Sequence, residues 1–121
     1  MYEYTATILD WLDGDTAKVN LDLGFQISLN RPLRVYGINC PEVHTADVAE
    51  KVRGIAARAY AATLCPVGSK VVVSTIKVKD ESDKYGRILG KVTLSDGHDY
   101  ATAMIEAGHA LAYFGVGPKP I

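Results

Sequence analysis

Three short segments gather side chains that could do chemistry. The first is Asp13-Gly14-Asp15-Thr16. The second runs from Arg34 to Glu42 and reads Arg-Val-Tyr-Gly-Ile-Asn-Cys-Pro-Glu. The third is Asp83-Lys84-Tyr85-Gly86-Arg87. Between them they hold the parts that a metal-assisted attack on a phosphodiester needs. Oxygen ligands can hold a hard cation. Fixed guanidinium groups can neutralise charge building on phosphoryl oxygens. A carboxylate can take a proton from the attacking water. Each piece alone has an ordinary structural explanation. Asp-Gly-Asp is a common hairpin turn. Arg34 could be a solvated side chain on an alternating strand, Arg87 an exposed residue at a strand start, and Glu42 a helix-entry residue. Their co-occurrence, in this order, points to chemistry.

The hydrophobic pattern supplies the elements that must position these segments. Tyr4 to Leu12 is rich in Thr, Ile, Leu and Trp and reads as a strand, with Trp11 packing in the core. Asp13-Gly14-Asp15 turns the chain. Ala17, Val19, Leu21 and Leu23 alternate as a second strand, and Gly24 marks a reversal. Phe25, Ile27 and Leu29 alternate again. Arg31-Pro32 interrupts the pattern and Leu33 to Ile38 resumes it, which predicts a bent or bulged third strand. A helix is predicted over 47–64, with Val48, Val52, Ile55, Ala59 and Ala62 forming its apolar stripe. Asp47 and Glu50 resemble a capping box, and Pro66 and Gly68 stop the helix. Lys70 to Val78 is a strong β segment, residues 79–86 form a charged loop, and Arg87 to Leu94 is a further strand. Asp99 caps a short helix whose apolar face is Tyr100, Ala101, Met104 and Ile105, with Gly108 at its C′ position and a frayed end over 115–120. Strands in this order, with a long helix after the third and a short helix near the C-terminus, predict an α+β chain. Its five strands could close into a small OB-type barrel.

Composition bounds the rest. A length of 121 residues fits one domain, 1–121. Hydrophobic residues at 48% and charged residues at 22% exclude a disordered chain. Thirteen Lys and Arg against fourteen Asp and Glu give a net charge of −1, which argues against salt-driven binding to long polyanions but leaves local phosphate chemistry open. No run reaches the roughly 20 apolar residues of a membrane span. The N-terminus has no basic region followed by an apolar stretch, so the expected setting is cytoplasmic and free of membrane, with secretion only if a signal was removed. Cys40 and Cys65 read as free thiols. Cys40 and His44 form a lone C-x3-H without the second pair that zinc needs.

With these residues in view, the sequence resembles the staphylococcal-nuclease-like (thermonuclease) family. It carries Asp-Gly-Asp-Thr at 13–16, Leu-Arg at 33–34, Pro-Glu at 41–42 and Asp-Lys-Tyr-Gly-Arg at 83–87. The helix end Met104-Ile105-Glu106-Ala107-Gly108-x-Ala110 extends the likeness, which covers residues 4–114. The resemblance implies a five-stranded OB barrel and a calcium-dependent nuclease. Such an enzyme hydrolyses DNA and RNA with little sequence specificity and leaves 3′-phosphate ends. It implies that Asp15, Asn39 and the backbone carbonyl of Cys40 hold one calcium ion, with Asp13 as an outer-shell carboxylate. Glu42 would be the general base, and Arg34 and Arg87 would clamp the phosphate. Lys84 and Tyr85 would contact a neighbouring phosphate. The base-stacking aromatic falls on Tyr113 or Phe114. One departure matters: the family has an aspartate where this sequence has Asn39, so calcium is expected to bind weakly. A monomer is expected. The rival readings are a non-catalytic OB-fold nucleic-acid-binding module with a weakened metal site and, third, a protein-interaction domain.

Overall fold

The computed structural model describes residues 2–76 and 87–114. Its elements, in order, are β1 (Glu3–Asp13), β2 (Thr16–Asp22), β3 (Ser28–Val35), β4 (Gly37–Asn39), α1 (Val48–Leu64), β5 (Lys70–Thr75), β6 (Ile88–Thr93), α2 (Tyr100–Glu106) and β7 (Leu111–Tyr113). Strands β1, β2, β3, β6 and β5 close into a barrel, and β4 and β7 form a separate two-stranded sheet. Barrel neighbours are antiparallel except β3 and β6, which run parallel from Leu33–Ile88 to Val35–Gly90. This is the five-stranded barrel with two helices that the strand pattern predicts.

Alternation fills the barrel. Ala17, Val19 and Leu21 of β2 point inward and are buried, as are Leu33 and Val35 of β3 and Val71 and Val73 of β5. In β1 a plain period of two would carry Ile8 inward and then Asp10. The pairing with β2 slips between Ile8 and Asp10, and again between Trp11 and Asp13. The extra residue turns Asp10 outward and brings Trp11 inside, 4% exposed. The bulge expected in the third strand therefore sits in the first. Strand β3 runs unbroken through Pro32, because β6 joins it only from Leu33 onward and no partner on that side needs the missing N–H. The predicted Leu33–Ile38 run breaks instead at Tyr36–Gly37, where Gly37 has φ +95°, a value that favours glycine. There β4 leaves the barrel to pair with β7, Gly37 opposite Tyr113 and Asn39 opposite Leu111.

Helix α1 begins as predicted. The Asp47 carboxylate accepts from the Ala49 and Glu50 amides. The predicted apolar stripe, however, faces outward: Val48 is 75% and Val52 62% exposed, and Ile55, Ala59 and Ala62 are exposed as well. The buried face is Gly54, Ala57 and Ala61. Small residues let the helix axis come close to the loop and the β1–β2 turn beneath it, and larger side chains on that face would hold it off. Helix α2 is capped by Asp99, which accepts from the Thr102 amide. It buries Tyr100 and Met104 in the same core as the barrel. The loop 79–86, the last residues of the predicted Lys70–Val78 segment and the C-terminal 115–120 lie outside the described residues.

Candidate functional site

The turn between β1 and β2 carries Asp13, Gly14 and Asp15 at one end of the barrel. Both carboxylates are tied to the segment that follows β4. Asp15 Oδ2 accepts the Cys40 amide at 2.8 Å, and Asp13 Oδ1 accepts the Val43 amide at 2.8 Å. Thr16 donates its hydroxyl to Asp15 Oδ1 at 3.0 Å. The Asp15 backbone carbonyl accepts from Val35 N at 2.9 Å, so the turn is fixed to the end of β3 as well. Gly14 is enclosed. A Cβ there would meet Cys40 Sγ at 2.9 Å, Met104 Cε at 3.0 Å and Ala57 Cβ at 3.2 Å.

Arg34 stands opposite Thr16 on one side and Leu89 on the other. Its Nη1 donates to the Val35 carbonyl at 2.8 Å. Its Nη2 lies 3.5 Å from Asp15 Oδ2 and 3.5 Å from Asn39 Oδ1. Asp15 and Asn39 are both buried, at 6% and 5% exposure, so these two oxygens converge on one positive charge in a poorly solvated place. Asp13, Asp15, Arg34, Asn39 and Cys40 thus come together at this end of the barrel.

Glu42 follows two residues after Cys40. Its side chain is exposed, and its amide donates to Glu50 Oε2 at 3.0 Å. The capping box expected of Asp47 and Glu50 is therefore half made: Glu50 turns to Glu42, and the Asp47 amide is taken by the Thr45 hydroxyl. The Glu42 carbonyl lies against the Gly54 backbone with no room for a side chain. Arg87 is partly buried and enters β6 two residues before Leu89, the register partner of Arg34. Tyr113 is half-buried on β7, linked to the cluster through the pairing of β7 with β4. Phe114 packs its ring on Tyr36 at 5.4 Å. Lys84 and Tyr85 lie outside the described residues.

Burial pushes the Asp13 carboxyl above the usual carboxylate range; the Val43 amide opposes the rise and the Asp15 charge adds to it. Burial pushes the Cys40 thiol far up, with Asp15 adding to the rise. A thiol so held stays protonated and is no nucleophile. Among the described residues, no three His, Cys, Asp or Glu side chains gather into a cation site. A cation at this cluster would rely on one carboxylate with amide and backbone oxygens.

Sequence reasoning did not single out Gly54 or Glu50 for the site, and it gave Thr16 no role beyond its place in the Asp-Gly-Asp-Thr segment. Glu50 had a signal, but it was spent on the cap. Gly54 had one too, as a glycine inside a helix, which costs stability unless close packing requires it.

Comparison with known proteins follows the same lines. The family described as staphylococcal nuclease homologue matches residues 32–120. The endonuclease YhcR of Bacillus subtilis is 30% identical over 118 residues, covering 93% of this chain and 9% of the relative. An uncharacterized lipoprotein of Mycoplasma pneumoniae is 33% identical over 92 residues, covering 70% of this chain and 31% of the relative. A lipoprotein of Mycoplasma genitalium is 26% identical over 117 residues, covering 91% of this chain and 45% of the relative. The chain thus spans less than half the length of each of these relatives. No helix among the described residues is long and apolar enough to cross a membrane.

Proposed function

From the premise that the chain belongs to the staphylococcal nuclease homologue family, we propose that it is a calcium-dependent nuclease. It would hydrolyse phosphodiester bonds of DNA and RNA with little sequence preference and leave 3′-phosphate ends. The observation that carries this reading is the convergence of Asp15 and Asn39 oxygens on the Arg34 guanidinium, with an exposed Glu42 two residues beyond Cys40, whose amide Asp15 holds.

The donors suit a hard cation. Asp15, Asn39 and the Cys40 carbonyl offer carboxylate, amide and peptide oxygens of the kind such an ion takes. When bound, calcium supplies positive charge opposite the phosphoryl oxygens. Asp13, held by the Val43 amide, would be the outer carboxylate beside such an ion. Arg34 has five N–H donors; Nη1 donates to Val35 and Nη2 faces Asp15 and Asn39, and with its remaining donors and Arg87 it neutralises charge that grows on the phosphoryl group. Glu42 takes a proton from the attacking water at its carboxylate oxygen. Lys84 and Tyr85 contact a neighbouring phosphate, and Tyr113 stacks on a base. The B. subtilis endonuclease supports a nucleic-acid substrate. The two lipoproteins favour an extracytoplasmic setting over the cytoplasmic one expected from the N-terminus.

Asn39 favours a second reading. An amide brings no charge to the ion, so the chain could bind nucleic acid without turning it over. Pure protein incubated with single-stranded DNA, duplex DNA and RNA, in calcium and in chelator, separates the two. The nuclease reading expects chelator-sensitive fragments with 3′-phosphate ends. Retention of intact nucleic acid, without cleavage in saturating calcium, would establish the binding module instead.

A further inference from the structure

Tyr100 is the largest fully buried side chain of the chain's described residues, and nothing in the reaction above uses it. It is the first residue of α2. Its hydroxyl donates to the backbone carbonyl of Gly14 at 2.6 Å, at the centre of Asp13-Gly14-Asp15. Its ring stacks on Trp11 at 5.0 Å and 15°. Trp11 is itself fixed, because its indole N–H donates to the Cys65 carbonyl at the end of α1 at 2.8 Å. Burial pushes the Tyr100 phenol far up, so the group remains a donor at every working pH. An apolar residue would fill this core position as well. A phenol is needed only if its oxygen has work to do, and a buried polar group without a partner is costly.

The work is visible in what the bond holds. Gly14 O is flanked by the two carboxylates that grip Cys40 and Val43. Met104, also from α2, lies with Ala57 and Cys40 over the space that a side chain at Gly14 would occupy. The turn is therefore clamped from behind by a polar contact and an apolar one from the same short helix.

We propose that Tyr100 is a positioning residue: its bond to Gly14 locks the Asp13-Gly14-Asp15 turn so that both carboxylates keep their aim at the segment carrying Asn39, Cys40 and Glu42. This rests on the nuclease reading for its consequence in catalysis, and on the geometry alone for its consequence in the turn.

The test is Tyr100→Phe in the whole chain, beside Val92→Ala, a barrel-wall substitution away from the turn that lowers stability generally. Two readouts are taken well below the melting temperature of each variant. The first is amide hydrogen exchange in calcium-free protein. Tyr100→Phe should speed exchange at Cys40 and Val43 about tenfold relative to barrel amides such as Val73, and Val92→Ala should not. The second is cleavage kinetics: kcat should fall about tenfold in Tyr100→Phe with KM changed less than about twofold. Exchange that rises uniformly in both variants, or kcat that stays at the wild-type value while Cys40 and Val43 keep their protection, overturns the proposal. If wild-type protein cleaves nothing, the nuclease reading fails by itself, and the exchange pattern still decides whether Tyr100 holds the turn.

Discussion

Replacing Gly54 by alanine sets two effects of opposite sign against each other. In an exposed helix interior the change gains about 1 kcal/mol, because alanine loses less backbone entropy than glycine. At this position the new methyl would lie 2.6 Å from the Glu42 carbonyl carbon and 2.9 Å from Val43 N. Ordinary carbon contacts sit at about 3.5–4.0 Å, so the loop or the helix must give by about 1 Å. The atoms in the way are backbone, held by the Val43–Asp13 and Glu42–Glu50 hydrogen bonds, and cannot swing aside. Overpacking of this kind costs about 1–3 kcal/mol, and a rigid neighbour puts the cost in the upper part of that range. The net is a loss of about 1–2 kcal/mol, or roughly 3–8 °C in Tm for a chain of this size. On the proposed nuclease reading, the larger effect is on the reaction. Glu42 belongs to the displaced loop, and a shift of about 1 Å in a reacting group can cost about a hundredfold in rate. Differential scanning calorimetry and single-turnover cleavage on one preparation measure both. A variant stabilised by about 1 kcal/mol with wild-type kcat would refute the claim that α1 positions Glu42 through this contact.

Asn39→Asp should lower the half-saturating calcium concentration by about tenfold, since ligand charge tunes affinity for a hard cation. In chelator it should change stability little, because repulsion from Asp13 and Asp15 offsets the new carboxylate's attraction to Arg34. Calcium titrations followed by calorimetry and by rate give both. Asp13→Asn tests the raised carboxyl of Asp13. A carboxylic acid whose folded pKa is raised contributes stability below its unfolded value near 3.8, and that contribution is lost as pH rises through the folded pKa. At pH 7 the folded state therefore carries the cost of a half-buried charge, and Asp13→Asn should raise the urea midpoint there. The gain should disappear near pH 3.5, where Asp13 itself is protonated. An equal gain at both pH values would contradict the burial argument.

The parts of the fold that local chemistry dictates were legible from sequence, and those set by distant partners were not. Asp47 and Asp99 cap their helices as an N-cap side chain must, since the donors they satisfy lie two or three residues away. The short strands β4 and β7 carry no local signal, because they exist only through each other across some seventy residues. The α1 stripe misled for a physical reason. Periodicity weights large side chains, and this helix buries glycine and alanine to bring its backbone close to Glu42 and Gly14. In the site, the turn residues and Arg34 stood out through residue type and order. That Asn39 faces Arg34, five residues earlier, follows from the break at Gly37, which turns β4 away from the barrel wall and which strand alternation does not reveal. The hydroxyl of Tyr100 had no signal at all, because a tyrosine on an apolar helix face looks like any core aromatic.

The central claim is that the cluster around Asp15 and Arg34 hydrolyses phosphodiesters with Glu42 as its base. It is tested most directly by the single-turnover cleavage rate of an end-labelled oligonucleotide with wild-type protein and Glu42→Gln, in saturating calcium. Because the Glu42 side chain is exposed, the variant should fold with wild-type stability. The account predicts chelator-sensitive cleavage by the wild type and a rate lower by about a hundredfold or more in the variant. Equal rates in the two proteins would contradict it.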